Sequence, residues 1–486
     1  MTFLHWSAAA EQAQGICDAW PADGPGGAIL GFDRNGIHFA LTGGVERVGE
    51  HKAFTSETVV RWASVTKHVF AAFVLDSGLP LDAPLGSLLP MHAVPGAVTV
   101  RQALAMQGGL PDTREMLTLL GMGGEVDTRA ARLLDWSAGV GRLNAEPGTE
   151  VAYSNAGYRL VEAAQEARGL RFADWVKAQG HGIAAPDYWN EPVAGLVPGH
   201  VMQNGAWVQG GQGMHLSAAG ALAGSATQLA SWLADVMGRD AFKTMAQPVP
   251  LRDGRATGYG LGLRMTRIGD HLVPGHGGAQ SGYRSGFLVD PALGVGICVV
   301  TNRDDGEASA AAEAVMTVLL GVLPDAAPAQ DWAPPGFYVA KDGNLWAEVR
   351  SSTIVVRDAE EKLYTSGDWT ISHAPQSEIR LRWTGEVLEG EIGHLPARLY
   401  PAQGEPTGGT LDGWWECDGA TFRIQGEQVH WGAGPRTERC NLVPLGGGRW
   451  LFHALGRRIC LRRLGTDRVE LSLSRARVIE YVRLSA

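Results

Sequence analysis

Between Trp62 and Leu75 apolar residues recur at helical spacing. Val65, Val69 and Phe73, with Phe70 and Val74 beside them, form one wide buried face that no proline interrupts and Ser77-Gly78 closes. The same pattern predicts an Ala-rich helix over 7–20, a short one over 98–107 ended by Gly108-Gly-Leu-Pro111, and others over 126–140, about 157–169, through Leu229 and Trp232, and over 308–323. Strand patterns flank them. Gly24–Phe32 and Ile37–Thr42 read as a hairpin around Asp33-Arg-Asn-Gly36, because Asn-Gly favours the tight two-residue turn. Tyr259–Leu263 reads as a strand start, and two antiparallel strands follow over 276–289 and 294–302, the first rich in glycine.

The texture changes after residue 323. Residues 324–335 are proline-rich and read as a linker. Helical periodicity then stops and short alternating strands take over, such as Leu345–Arg350, Thr353–Arg357 and Glu378–Trp383. Gly336-Phe337-Tyr338 recurs as Gly413-Trp414-Trp415, each time leading into such strands. This predicts two small all-β units, 336–405 and 409–486, each a closed or nearly closed antiparallel barrel with no exposed edge. Of the chain's 16 tryptophans, 8 lie in 331–486, where filling barrel cores is their ordinary use. The fold class is α+β, with residues 1–323 as a separate domain ahead of the two β-units.

Composition narrows the function. A net charge of −10 over 486 residues argues against nucleic acid, whose phosphates need a basic face. No stretch approaches a membrane span, and the start has neither a basic nor a long apolar segment. Five cysteines, odd in number and without a CxxC, predict reduced thiols and a cytoplasmic location. No His/Cys spacing predicts a metal.

Chemistry gathers at the head of the first helix, where Ser64 is followed by Lys67. Residues three apart on a helix are neighbours, and a serine there faces the positive end of the helix dipole. A hydroxyl becomes a nucleophile when a base takes its proton, and a partly desolvated lysine can do so. With 6 lysines and 21 serines, chance alone yields about a quarter of one Ser-x-x-Lys match; a serine cap with a surface lysine is the ordinary alternative. Tyr153-Ser-Asn155 sits on a turn entering a helix, and a tyrosinate beside an ammonium can act as a general base. Asn155 could hold a substrate carbonyl or the lysine. Tyr188-Trp-Asn190 repeats that spacing in a proline-bounded loop with no helix after it and ranks below Tyr153. His276-Gly-Gly278 lies between strand segments, unlike the isolated His430-Trp-Gly432.

Ser64-x-x-Lys67, Tyr153-x-Asn155 and His276-x-Gly278, in that order, resemble the penicillin-recognising serine hydrolases: class C β-lactamases, DD-peptidases and related esterases. The flanks Gln107–Asp112, Pro147-Gly-Thr149 and Tyr259-Gly-Leu-Gly262 are similar too. The resemblance covers residues 1–322. With two β-units behind it, the whole chain looks like the bacterial D-aminopeptidases of this group, which fits histidine in the third motif. It implies a β-lactamase-like domain, an antiparallel sheet flanked by helices plus an all-helical part, followed by two antiparallel barrels. It also implies roles: Ser64 forms an acyl-enzyme, Lys67 and Tyr153 move the proton, and the N–H groups of Ser64 and Ala279 hold the oxyanion. Asn155, His276 and Gly278 would position the substrate, with no metal or cofactor.

The implied substrate is a short peptide or amino acid amide with an N-terminal D-residue, and a homodimer stays open. The resemblance further implies that a loop of the last β-unit enters the cleft; 433–444 and 453–458 are the candidates. An esterase or penicillin-binding relative is the alternative enzyme. A binding or sensor protein that keeps the fold is the alternative class, disfavoured because it has no need of Ser64, Lys67 and Tyr153 together.

Overall fold

The computed structural model describes residues 3–123, 126, 128–213, 215, 217–322, 328–373, 378–432 and 437–484. Its first part is built on a six-stranded antiparallel sheet. The strands are β1 (Gly27–Asp33), β2 (Gly36–Gly43), β3 (Arg264–Ile268), β4 (His271–Gln280), β5 (Tyr283–Asp290) and β6 (Val295–Thr301), in the order β2-β1-β6-β5-β4-β3. The hairpin at Asn35-Gly36 pairs β1 with β2 as the sequence predicts. β6 is buried along its whole length, because helices cover both faces of the sheet. One layer is α1 (Trp6–Asp18) with α7 (Ala308–Leu319); on the other side α6 (Ala226–Val236) packs on β1 and β6.

Between β2 and β3 lies a helical region. It contains α2 (Thr66–Asp76), α3 (Thr113–Leu119), α4 (Ala130–Gly139) and α5 (Asn155–Ala167). α2 is buried all round, from Thr66 to Val74, and forms the centre of the largest apolar core with Phe70, Phe73 and Trp232. Four local expectations shift. The segment 276–289 is not one strand but turns at Ser281-Gly282, so it holds the end of β4 and most of β5. Ser64 sits on a 3-10 turn, Ala63–Val65, that feeds α2 rather than opening it. α5 starts at Asn155, two residues earlier than its apolar pattern suggests, because Ser154 caps it by accepting from Ala156 N. Tyr259–Leu263 is a loop, and the strand begins at Arg264.

Residues 323–327, which include the start of the predicted linker, lie outside the described residues. The described remainder is packed: Ala329 N donates to Leu363 O at 2.8 Å, and Ala329 and Ala333 are buried in the next core. From Gly336–Ala340 to Leu395–Pro401, eight strands among the described residues close into a barrel. A nine-stranded antiparallel sheet follows, from Gly413–Cys417 to Ile479–Arg483. Its two edge strands, Glu438–Asn441 and Val443–Gly446, are consecutive in the chain with only Leu442 between them. One kinked segment therefore pairs on both sides, and the sheet is nearly closed. Trp415 and Trp431 fill the core of the nine-stranded sheet, whereas Trp346 is buried between the two units with Leu445 and Leu451. The fold is thus α+β: a β-lactamase-like sheet-and-helix part followed by two antiparallel barrels. The second core also takes in Met116, Leu119 and Leu120 from α3 and the residue after it.

Candidate active site

Ser64 is presented by a strained turn. Ala63 has φ of 49°, the left-handed region that a non-glycine residue occupies only when its surroundings force it. What forces it is β4. A Cβ on Gly278 would come 2.4 Å from Trp62 O and 3.1 Å from Ala63 Cβ, so only glycine lets the strand lie this close to the turn. Ser285 clamps the same point, its hydroxyl donating to Trp62 O at 2.6 Å. Ala279 follows on β4, on the exposed side of Gly278.

Lys67 is completely buried. Its ammonium donates to Ser64 Oγ at 3.3 Å, Asn155 Oδ1 at 2.8 Å and Ala219 O at 2.6 Å, and Tyr153 is a further hydrogen-bond partner. Asn155 is oriented in turn by Asp112, whose Oδ2 accepts from both its Nδ2 (2.7 Å) and its backbone N (2.8 Å). Burial pulls the Lys67 pKa down, with Tyr153 and Asp112 opposing it. Tyr153 lies against the same ammonium, 4.9 Å from ring centroid to Nζ. Two further cations face that ring, Arg475 at 4.7 Å and Arg264 at 5.9 Å. Burial raises the Tyr153 pKa; Lys67 and Arg264, together with hydrogen bonds to Lys67 and Ser64, outweigh it, and the phenol ends below its ordinary value. A hydroxyl, a buried cation and a phenol held toward its anion therefore share one point, the arrangement that activated nucleophiles need.

His276 lies behind Tyr153, with ring centroids 6.2 Å apart. Both its nitrogens are engaged: Nδ1 donates to Gly277 O at 2.6 Å and Nε2 accepts from the Tyr259 hydroxyl at 2.9 Å. Burial, then Arg264 and Lys67, push its pKa well below the ordinary value, so the ring is neutral. The structure brings Ser64, Lys67, Tyr153 and Asn155 into one cluster, with His276 one layer back and Gly278 as the contact between strand and turn. Tyr188 stands apart and accepts from Ala130 N at 3.2 Å. His430 is in a strand of the second barrel, far from this cluster in the fold.

Sequence reasoning missed Asp112, Arg264, Tyr259 and Arg475. Asp112 stood in a quoted flank without a role. Among the described residues, the loop that enters the site is 473–478, between strands Arg468–Ser472 and Ile479–Arg483, and not the expected 453–458; of the other candidate, 433–444, residues 433–436 lie outside the described residues. α3 explains the difference. Glu115 accepts from Ser474 Oγ (2.8 Å), Arg475 N (2.5 Å) and Ala476 N (3.0 Å), and Asp112 N donates to Arg475 O (2.9 Å). The 453–458 hairpin stops outside the cleft, where Arg457 reaches the other side of Glu115 at 3.0 Å. Among the described residues no cluster of His, Cys, Asp or Glu has a metal-holding arrangement, and no helix is long and apolar enough to cross a membrane.

The Beta-lactamase family model matches residues 18–320. The chain is 27% identical over 357 residues to a D-aminopeptidase of Gluconobacter oxydans strain 621H, covering 67% of this chain and 65% of that one. It thus spans just under two thirds of that relative's length. An octameric penicillin-binding protein homologue from Pyrococcus abyssi superposes with a TM-score of 0.55 at 17% identity, over 98% of each chain. The D-amino acid amidase of Ochrobactrum anthropi SV3, in complex with L-phenylalanine amide, superposes with a TM-score of 0.53 at 20% identity, over 64% of this chain and 97% of that one. The chain belongs to the beta-lactamase family.

Proposed function

We propose that this family member is a serine hydrolase that forms an acyl-enzyme on Ser64 and releases N-terminal D-amino acids from short peptides or amino acid amides. The observation that carries the chemistry is the 3.3 Å contact of Ser64 Oγ with the buried Lys67 ammonium, beside a tyrosine drawn toward its anion. Tyr153, as phenolate, takes the Ser64 proton while Oγ attacks the carbonyl carbon. The N–H groups of Ser64 and Ala279 receive the negative charge that develops on the carbonyl oxygen; one such donor is worth about 3 kcal/mol. The phenol then gives its proton to the departing amine as the C–N bond breaks. Water, deprotonated by the same phenolate, attacks the ester carbon; the bond to Ser64 Oγ breaks, the phenol returns its proton to Oγ, and the D-amino acid leaves. Lys67 remains a cation throughout, Asn155 holds it, and His276 buttresses Tyr259 and Gly277 behind the site.

The D-residue is supported by the relatives named D-aminopeptidase and D-amino acid amidase. The domain assignment of 1–323, 336–405 and 409–486 belongs to this reading. So does a cytoplasmic setting, which five free cysteines suit. Release of p-nitroaniline from D-alanine and L-alanine p-nitroanilides tests the reading, with Ser64→Ala as control. Cleavage of the D form alone, abolished in the variant, is expected. Turnover of p-nitrophenyl esters through Ser64 with neither anilide cleaved would instead identify an esterase.

A further inference from the structure

Tyr153 also lines a cavity of about 200 Å³ where three parts of the chain meet: residues 150–153, the first barrel, and loop 473–478 of the second. Its walls are largely aliphatic, yet it contains Arg357, Arg475 and Arg477. Arg477 is taken by buried Glu150, at 2.7 Å. Glu361 is the other carboxylate in the lining, so the two remaining guanidiniums leave an excess of positive charge.

Both arginines are held in place by the surrounding fold. Arg357 and Asp358 form the turn between strands Thr353–Val356 and Ala359–Ser366, with φ of 47° and 72°. A tight hairpin of this kind ordinarily uses Asn-Gly, so two consecutive non-glycine residues in the left-handed region are strained. The second barrel holds the strain: Asp358 accepts from Arg457 Nε at 2.6 Å and Arg458 Nε at 3.2 Å. The result puts Arg357 in the cavity with its Nε buried and lacking an acceptor. Burial first, then Arg477, pulls its pKa down to about 9, with Glu150 and Glu470 opposing the shift without reversing it. Arg475 is fixed through its backbone by Glu115 and Asp112, so its side chain is delivered over Tyr153 on a rigid loop.

We propose that this cavity is a subsite for a carboxylate, the free C-terminal carboxylate of the peptide's leaving portion, read by Arg357 and Arg475. The assignment to the leaving side rests on the function proposed above: the cavity shares Tyr153, the group that hands its proton to the departing amine. Guanidiniums bind carboxylates in paired, charge-assisted hydrogen bonds, and a neutral amide gains much less. The enzyme is then a dipeptidase-like aminopeptidase that prefers a D-residue followed by one free-carboxylate residue over simple D-amino acid amides.

The test compares D-alanylglycine with D-alanylglycinamide on the full-length protein. The ratio of their kcat/KM values is expected to favour the free acid by about tenfold or more and to approach one in Arg475→Gln and in Arg357→Gln. Because Arg475 also faces Tyr153, the rate itself can change in the variants; the ratio cancels that effect. Calorimetric titration of the Ser64→Ala protein with N-acetylglycine and N-acetylglycinamide reads the subsite without turnover. Tighter binding of the acid, lost in Arg475→Gln, together with no cleavage of any D-peptide, would refute the proposed function and keep the subsite. Cleavage of D-alanine p-nitroanilide with an acid-to-amide ratio of one would do the reverse. A ratio unchanged by both arginine substitutions overturns the subsite.

Discussion

At the scale of single residues, the site is a contest between burial and charge. Burial alone would keep Tyr153 neutral, and Lys67 is the first of the groups that reverse it. Lys67→Met keeps the stem and removes the charge, so burial is left with less opposition and the phenol pKa rises. We expect kcat/KM at pH 7 to fall by about a hundredfold or more, and its rise with pH to move to higher pH; an unchanged profile would remove Tyr153 as the base. A second contest concerns stability. His68 is fully buried on α2, with Nδ1 donating to Val65 O and Nε2 accepting from Trp232 Nε1 at 2.8 Å. The bond from Trp232 needs the neutral ring, whereas the bond to Val65 O survives protonation and opposes the shift; burial outweighs it and pulls the pKa to about 3. Above the ordinary value of 6.5 folded and unfolded chains are both neutral here, so stability is level. Below it the unfolded chain binds a proton that the folded chain refuses, and stability falls by about 1.4 kcal/mol per pH unit until about pH 3. Denaturant melts at pH 7.5 and pH 5 should show this loss, and His68→Gln should reduce it. His276, also depressed, adds to the slope.

At the scale of elements, what could be read from the sequence was what is local. The Asn35-Gly36 hairpin and the apolar run of α2 each carry their own signal over fewer than 15 residues, whereas the glycine-rich 276–289 reads as one strand and hides the turn at Ser281-Gly282. The caps shifted boundaries by two residues, as Ser154 did, because a capping hydroxyl outweighs the start of an apolar face. Loop 473–478 was invisible for a different reason. Leu473-Ser-Arg-Ala-Arg-Val478 is an unremarkable stretch between two strands, and its position is set by Glu115, more than 350 residues earlier in the chain. The same distance explains why Asp112 was quoted yet unassigned: its two roles, orienting Asn155 and holding Arg475 O, exist only in the folded chain. Glu115 also makes a clear prediction. Glu115→Ala leaves two backbone N–H groups and Arg457 without their acceptor in a buried seam, and removal of one partner from such a set costs about 3 kcal/mol or more. The midpoint of denaturant unfolding should drop accordingly. Activity under native conditions should fall with it, because the loop that brings Arg475 to Tyr153 is released; full activity in a destabilised variant would show that the loop is dispensable.

At the scale of the molecule, the two barrels are not appendages on a finished enzyme. Met116, Leu119 and Leu120 belong to the apolar core of the second barrel, not to that of the helical region they come from. Tyr481 in the last strand donates to Leu119 O at 2.8 Å, which closes the exposed end of α3. The first barrel is tied in through Asp358 and Arg457, and Arg457 reaches Glu115 as well, so one ionic chain runs through both barrels to α3. Cutting the chain after residue 408 would open that core and strip Glu115 of the donors that Arg457 and residues 474–476 supply. Each exposed Leu or Met gives up about 2 kcal/mol of burial, on top of the lost charge pairing, and a domain's margin is only about 5–15 kcal/mol. The shortened chain is therefore expected to bind a hydrophobic dye, to aggregate and to lack activity, although Ser64, Lys67 and Tyr153 are all present. In the full chain the same coupling predicts that Leu119→Ala, buried at the seam, costs about 2–5 kcal/mol and lowers the thermal midpoint of the catalytic part and the barrels together. Differential scanning calorimetry distinguishes the two cases: one transition that shifts as a whole supports a shared core, whereas a barrel transition that moves alone would mean the barrels fold and function independently.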